Sequence, residues 1–284
     1  MRNKSMISRF IAALTLIALT QNVMAQFSER ATESCADRPL DGIYKTNMSE
    51  RVPLPYPHLE ERDVLWEKRI WREIDVKELR NHHFSNSDRF FFDILIDGLR
   101  NNKIKAYSAE NENFSKELDF TDISKILYKD DTAQVTDPVT GDVTLTPFKH
   151  SFNPSDVTKY RIKEVVYFDS KLGRMNTRIL GIAPVINVSD KEGNQIANTA
   201  LCWFYYNDIR PILAVEPMFS EHSDTRGMSW DDVFQARIFS SYITKESNVK
   251  DARLQDLHSG MAIFYESEKI KESIRNIESD FFAE

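Results

Sequence analysis

The sequence predicts an α+β fold, with mixed helices flanking a mainly antiparallel sheet and an extended proline-rich N-terminal arm. Three observations predict it. Helical spacing of apolar residues dominates both ends of the folded part. Residues 132–206 are rich in β-branched and aromatic residues with turn signals between them, and prolines crowd the stretch before residue 58. Helices, then strands, then helices give segregated layers rather than a βαβ alternation. Hydrophobic residues make up 41% of the chain and glycine only 8 of 284 positions, enough to fill a core and too little glycine for a collagenous or linker-like chain.

The first 25 residues read as a secretory signal peptide. Arg2, Lys4 and Arg9 form a basic start, Phe10 to Leu19 is an apolar run, and Val23-Met24-Ala25 places small residues where a signal peptidase cuts. A membrane anchor is the alternative. A ten-residue helix is only about 15 Å long, roughly half the hydrocarbon thickness. Removing three basic residues from 37 leaves 34 against 44 acidic ones, a net charge of −10 for the mature chain. That balance argues against nucleic acid and anionic lipid surfaces, both of which favour basic patches.

Residues 26–58 are expected to be an arm. Pro53-Leu54-Pro55-Tyr56-Pro57 favours an extended polyproline-type path, lying over its own domain or over a neighbour. Residues 59–284 are then a single α+β domain. Trp66, Ile70 and Ile74 recur at a spacing of four, with Trp71 widening the stripe, and predict a helix from about Glu60 to Glu78. A second helix is expected over 88–97, closed by Gly98 or Asn101. A strand over 103–107 and a short helix near 121–128 follow.

Asp137-Pro138-Val139-Thr140-Gly141-Asp142 is a turn signal between alternating segments. Strands are expected over 160–168 and 177–188, where Pro184 suggests an edge or a bulge. Residues 189–194 read as a hairpin loop. The apolar run 199–206 reads as a strand buried on both sides. Ser229 should cap a helix running to about Thr244, with Asp231 and Asp232 in its first turn. A last helix covers about 265–282.

Two cysteines, Cys35 and Cys202, leave two readings open. In an exported chain they could form a disulfide, or Cys202, which lies in an apolar run, could be a packed thiol. Trp66-Glu67-Lys68-Arg69-Ile70-Trp71 is echoed by Phe234-Gln235-Ala236-Arg237-Ile238-Phe239, both aromatic-x-x-Arg-Ile-aromatic. The flanks do not match, so chance agreement between two helices is favoured over duplication. Arg69 and Arg237 are expected to pair with carboxylates at the edge of the core.

No catalytic template is matched. The histidines make no His-Glu-x-x-His and no zinc-finger spacing, and adjacent His82-His83 would point about 100° apart on a helix. Nucleophile-elbow and phosphate-loop glycine patterns are absent. Asp130-Asp131 and Asp231-Asp232 are the candidate carboxylate pairs for a periplasmic hydrolase or glycan-processing enzyme, the alternative reading. A carbohydrate-binding module would instead line tryptophans along an exposed strand face.

Several segments in order resemble the signature of the gliding-motility, type IX secretion GldN (PorN) family. They are Tyr56-Pro57-His58-Leu59, residues 63–75 (DVLWEKRIWREID), residues 160–164 (YRIKE), residues 178–184 (RILGIAP), residues 201–205 (LCWFY) and residues 234–248 (FQARIFSSYITKESN). Tyr206-Asn207-Asp208 departs from the proline-containing turn expected there, and the chain stops soon after Phe281-Phe282. The resemblance implies a structural component of the secretion and gliding machinery in the periplasm, at the inner face of the outer membrane. It implies self-association in a ring with an outer-membrane lipoprotein, contact with the periplasmic shaft of the inner-membrane motor, and neither a catalytic site nor a cofactor. No nucleic acid and no direct membrane span are expected. Aromatic and arginine side chains usually anchor protein contacts. Tyr56, Trp66, Trp71, Arg72, Arg210 and Trp230 are the candidate interface residues, each tryptophan being equally suited to its own core.

Overall fold

The computed structural model describes residues 48–85, 89–110, 112–127, 130–136, 143–149, 152–189, 195–218 and 228–283. The expected signal peptide, most of the expected arm, Cys35, the turn at 137–142 and the loop beyond Ser189 lie outside them.

The strands are β1 (Val64–Asp75), β2 (Ala106–Tyr107), β3 (Glu117–Leu118), β4 (Asp130–Thr136), β5 (Val143–Lys149), β6 (Val157–Asp169), β7 (Arg174–Ser189), β8 (Gln195–Ala200), β9 (Trp203–Tyr205) and β10 (Tyr242–Glu246). The helices are α1 (Phe91–Arg100), α2 (Phe120–Leu127), α3 (Tyr206–Val215), α4 (Trp230–Gln235), α5 (Leu254–Leu257) and α6 (Met261–Ala283). Eight strands form one antiparallel sheet in the order β10-β1-β6-β7-β9-β2-β3, with β8 on β7, and β4 pairs β5 separately. The fold is α+β with a mainly antiparallel sheet, as expected.

The helix expected over 60–78 is instead strand β1. A spacing of four fits a period of two as well as one of 3.6. Trp66, Lys68, Ile70, Arg72 and Ile74 share one face of the sheet, and Glu67, Arg69, Trp71 and Glu73 share the other. The echo in 234–239 falls on the end of a helix and the turn after it, so the two segments are not structural equivalents.

One face of the sheet carries the largest apolar core. Ile74, Tyr160, Ile162, Ile182 and Phe204 from the strands meet Phe91, Leu95, Ile209, Leu213, Trp230 and Phe234 from α1, α3 and α4. Phe84, Phe91, Tyr160, Trp230 and Phe234 interlock as rings, with Phe91 and Trp230 only 4.6 Å apart. Further along the same face α6 packs Ile270 against Ile70, Val166 and Ile243. Between these two apolar regions Glu164, fully buried, is held by Arg72 at 3.0 Å and Arg237 at 2.9 Å.

Helix α4 begins as expected. Ser229 and Asp232 close a reciprocal capping box. It ends much sooner than Thr244. The Ile238 N–H donates to Val233 O and the Arg237 N–H to Phe234 O, which closes a Schellman motif with Arg237 at φ +55°. Glycine is the usual residue there, so the sequence carries no stop signal. Residues 242–246 then continue as β10. The expected strand 199–206 is broken at 201–202, and its last residue, Tyr206, opens helix α3. Its central piece, Trp203 and Phe204, is buried on both sides as expected. Pro184 lies inside the sheet rather than on an edge. It faces the break between β8 and β9, where the ladder needs no N–H and its carbonyl accepts from Leu201. Cys202 is a free, fully buried thiol.

Candidate functional site

Among the described residues, two of the clefts beside the sheet and helices bring candidate residues together. In the first, residues 51–56 run across α3 and α4 and enclose about 480 Å³. Asp231 sits beneath them. It accepts two hydrogen bonds from the Arg210 guanidinium, at 3.0 and 3.1 Å, and one from the Tyr206 hydroxyl at 2.8 Å. Gln235 donates to the hydroxyls of Tyr56 and Tyr206. Burial raises the pKa of both phenols, which keeps them as neutral hydrogen-bonding groups.

The segment is tied down at several points. Arg51 meets Asp232 at 2.6 Å, Arg178 donates to Pro57 O at 2.6 Å, and the guanidinium groups of Arg178 and Arg210 both lie over the Tyr56 ring. The described part of the expected arm therefore packs on its own domain. Val52 and Leu54 stay more than 80% exposed.

The second cleft lies on the opposite face of the sheet and encloses about 510 Å³. Trp71 on β1 is directly opposite Lys163 on β6 and Lys245 on β10. Both ammonium groups lie over its ring, at 5.4 and 4.2 Å from the centroid. Lys245 also pairs with Glu112 at 3.2 Å and Asp251 at 2.7 Å. Among the described residues Lys163 donates only to the Glu112 carbonyl.

Residues 109, 110, 112 and 113 form the far wall. Phe114, at φ +54°, lies so close to Gly181 that a Cβ there would meet its ring at 2.5 Å. The same face carries a second ion cluster, in which Glu73 binds Arg161 at 2.8 Å, Lys159 at 3.3 Å and the Tyr242 hydroxyl at 3.0 Å. Burial alone would raise the Glu73 carboxyl, but the Arg161 charge and hydrogen bonds outweigh it and hold the pKa below its ordinary value.

The candidate interface residues do not gather in one place. Tyr56 and Arg210 share the first cleft. Trp71 forms the floor of the second. Arg72 binds Glu164, and Trp66 packs half-buried beside Ile70. Trp230 is 2% exposed and belongs to the aromatic core, the other use weighed for it. All four tryptophans are described and they do not line one exposed strand face. Trp66 and Trp71 point to opposite faces, and Trp203 is buried.

Arg237 pairs with a carboxylate of the core, the fully buried Glu164, whereas Arg69 meets only the exposed Glu67 among the described residues, at 3.4 Å. Asp231 is held by Arg210, and Asp232 by the helix cap and Arg51. No group of metal-ligating residues occurs among the described residues, and no described helix is long and apolar enough to cross a membrane.

Sequence reasoning missed Lys163 and Lys245. A signal was present in Lys159, Arg161 and Lys163, three cations at alternate positions of one strand, which places them on one face.

Residues 59–283 match the family model described as gliding motility associated protein GldN. No curated protein matches the chain.

Proposed function

The chain belongs to the GldN family of gliding-motility and type IX secretion components, and from that premise we propose that it works as a structural subunit in the periplasm, by binding proteins rather than by converting a substrate. It assembles into a ring with an outer-membrane lipoprotein and contacts the periplasmic shaft of the inner-membrane motor. The family match over nearly all of the folded part carries this reading. Two features support it. The Asp231-Asp232 pair is committed to Arg210, Arg51 and a helix cap, which leaves no free carboxylate there for hydrolysis. The segment at 51–56 also presents Val52 and Leu54 to solvent on a firmly anchored backbone, a form suited to a protein contact. A head-to-tail contact between two different surfaces of one subunit closes into a ring.

The proposal includes a signal peptide over 1–25, an arm over 26–58 and one domain over 59–284. Size-exclusion chromatography with light scattering, on the chain co-expressed with the lipoprotein, tests it. A stable high-mass complex is expected, and a persistent monomer without bound partner would overturn it. Double substitution of Val52 and Leu54 by serine should leave the melting temperature unchanged and reduce assembly.

A further inference from the structure

The cleft over Trp71 holds more cationic and donor capacity than its own residues satisfy. Trp71 is 6% exposed, and its indole N–H has no acceptor among the described residues. A buried donor left unpaired costs about 1–3 kcal/mol, so its presence on the wall of a cavity calls for an acceptor. Lys163, 7% exposed, has no carboxylate within ion-pair distance among the described residues and bonds to a single carbonyl. Burial lowers its pKa, Glu112 opposes that only in part, and Arg69 and Lys245 add to it. Arg69 reaches the same cleft with only a loose, exposed partner. The other cations of the wall, Lys245 and Arg253, already share Glu112. The unspent charge is therefore positive and concentrated at Lys163 and Arg69.

We propose that this cleft is a docking site for a carboxylate carried on a peptide segment, bound by Lys163, Arg69 and the Trp71 indole N–H. The carboxylates in the wall select for this class of ligand. Glu110, Glu112 and Asp251 repel a compact dianion such as phosphate, whereas a peptide brings one negative charge together with backbone N–H donors for them. The carboxylate belongs either to an Asp or Glu side chain or to a chain terminus, and the chemistry at Lys163 is the same for both. The inference goes beyond the proposed assembly role and holds or fails without it, because free peptides test it.

The experiment follows the four indole N–H signals of the full chain labelled with ¹⁵N-tryptophan, the Trp71 signal being identified with Trp71→Phe. The probes are a hexapeptide with two glutamates and both ends blocked, a neutral hexapeptide with a free C-terminal carboxylate, and inorganic phosphate. At least one peptide should shift the Trp71 signal saturably. Shift by the first identifies a side-chain carboxylate, and shift by the second a terminal one. Lys163→Met should weaken binding at least tenfold with the signals of Trp66, Trp203 and Trp230 in place, as expected for the loss of a charged hydrogen bond. Arg69→Gln, at a half-exposed position, should weaken it about threefold. The proposal is overturned if neither peptide moves the Trp71 signal, if phosphate alone does, or if both variants bind like the parent chain.

Discussion

The two faces of the sheet are built from the same strands by different means. On one face Tyr160, Ile162 and Ile74 meet Phe84, Phe91, Trp230 and Phe234, and stability comes from close-packed rings. On the other, Glu73, Arg161, Lys163 and Lys245 occupy positions of similar burial; Arg161 and the half-buried Lys159 are balanced by Glu73 and Lys245 by Glu112, while Lys163 has no carboxylate partner among the described residues. Strand β6 shows the division within a few residues. Tyr160, Ile162, Glu164 and Val166 point one way, and Arg161 and Lys163 the other. The packed face stabilises the fold through apolar area and ring contacts. The charged face contributes little net stability, because desolvation offsets attraction, but it responds strongly when one member is lost. Folding and recognition thus fall to opposite sides of one layer.

The largest effect is expected from Trp230→Ala. Trp230 touches His83, Phe84, Phe91 and Phe234, so truncation opens a cavity at the centre of the ring cluster. A loss of about 3–5 kcal/mol is expected on urea unfolding, with assembly affected only through the folded fraction. A loss under about 1 kcal/mol would show that the helices are not the chief source of stability on this face.

Glu73→Gln probes the charged face. It leaves Arg161, 6% exposed, and Lys159 without their shared carboxylate, at an expected cost of about 3 kcal/mol. The two faces also answer to different pH windows. The Glu73 pKa is depressed in the folded state, so its contribution is complete above the ordinary glutamate value of 4.5 and is lost as pH falls through the folded value. His83 acts on the packed face. Burial against Phe84 and Trp230 lowers its pKa from 6.5 to about 4. The unfolded chain then takes up a proton that the folded one refuses, so stability falls as pH drops from 6.5 towards 4. Melting temperature measured against pH should lose the upper part of this decline in His83→Gln and the lower part in Glu73→Gln.

This division was only partly legible in the sequence. The α+β class, the strands over 160–168 and 177–188, the N-cap at Ser229 and a helix closed at one of its two expected stops, Asn101 rather than Gly98, follow from local signals that the tertiary structure leaves intact. β1 was misread because its apolar residues are spaced by four, which fits two periods, and only its pairing with β6 and β10 decides between them. The end of α4 was invisible because the left-handed residue is Arg237 and not glycine. Helix α3 was hidden by Pro211 in its interior and by the apolar run leading into it. Of the two clefts, Tyr56, Arg210 and Trp71 were legible as residue types suited to contacts. Lys163 and Lys245 were not, because their meeting over Trp71 depends on the register of three strands.

Gly181→Ala would sharpen the comparison from the recognition side. The added methyl must displace the Phe114 ring, which packs edge-on against Tyr107, Trp203 and Tyr205 and forms the wall near Lys163. The expected cost is about 1–3 kcal/mol, typical of overpacking. Urea unfolding should show this moderate loss while the near-ultraviolet signal of the ring cluster on the packed face is retained. Loss of that signal would mean that the two faces are not independent.

The smallest effect is expected where the two kinds of construction meet, at Arg237. Its backbone occupies the left-handed region, at a cost of roughly 1–2 kcal/mol for a residue with a side chain. Its guanidinium is 2.9 Å from Glu164, which is fully buried between the ring cluster and the α6 cluster and has Arg72 as its other partner. Arg237→Gly removes strain and ion pair together, so the two terms oppose each other and the net loss should stay within about 1 kcal/mol. Arg237→Ala keeps the strain and loses the pair, and should be less stable than the glycine variant by about 1 kcal/mol. If the glycine variant is more stable than the parent chain, the ion pair contributes nothing and Glu164 is satisfied by Arg72 alone. If the alanine and glycine variants are equally stable, the helix end has relaxed out of the left-handed conformation. The ion pair would then be what holds the chain in the tight turn between α4 and β10.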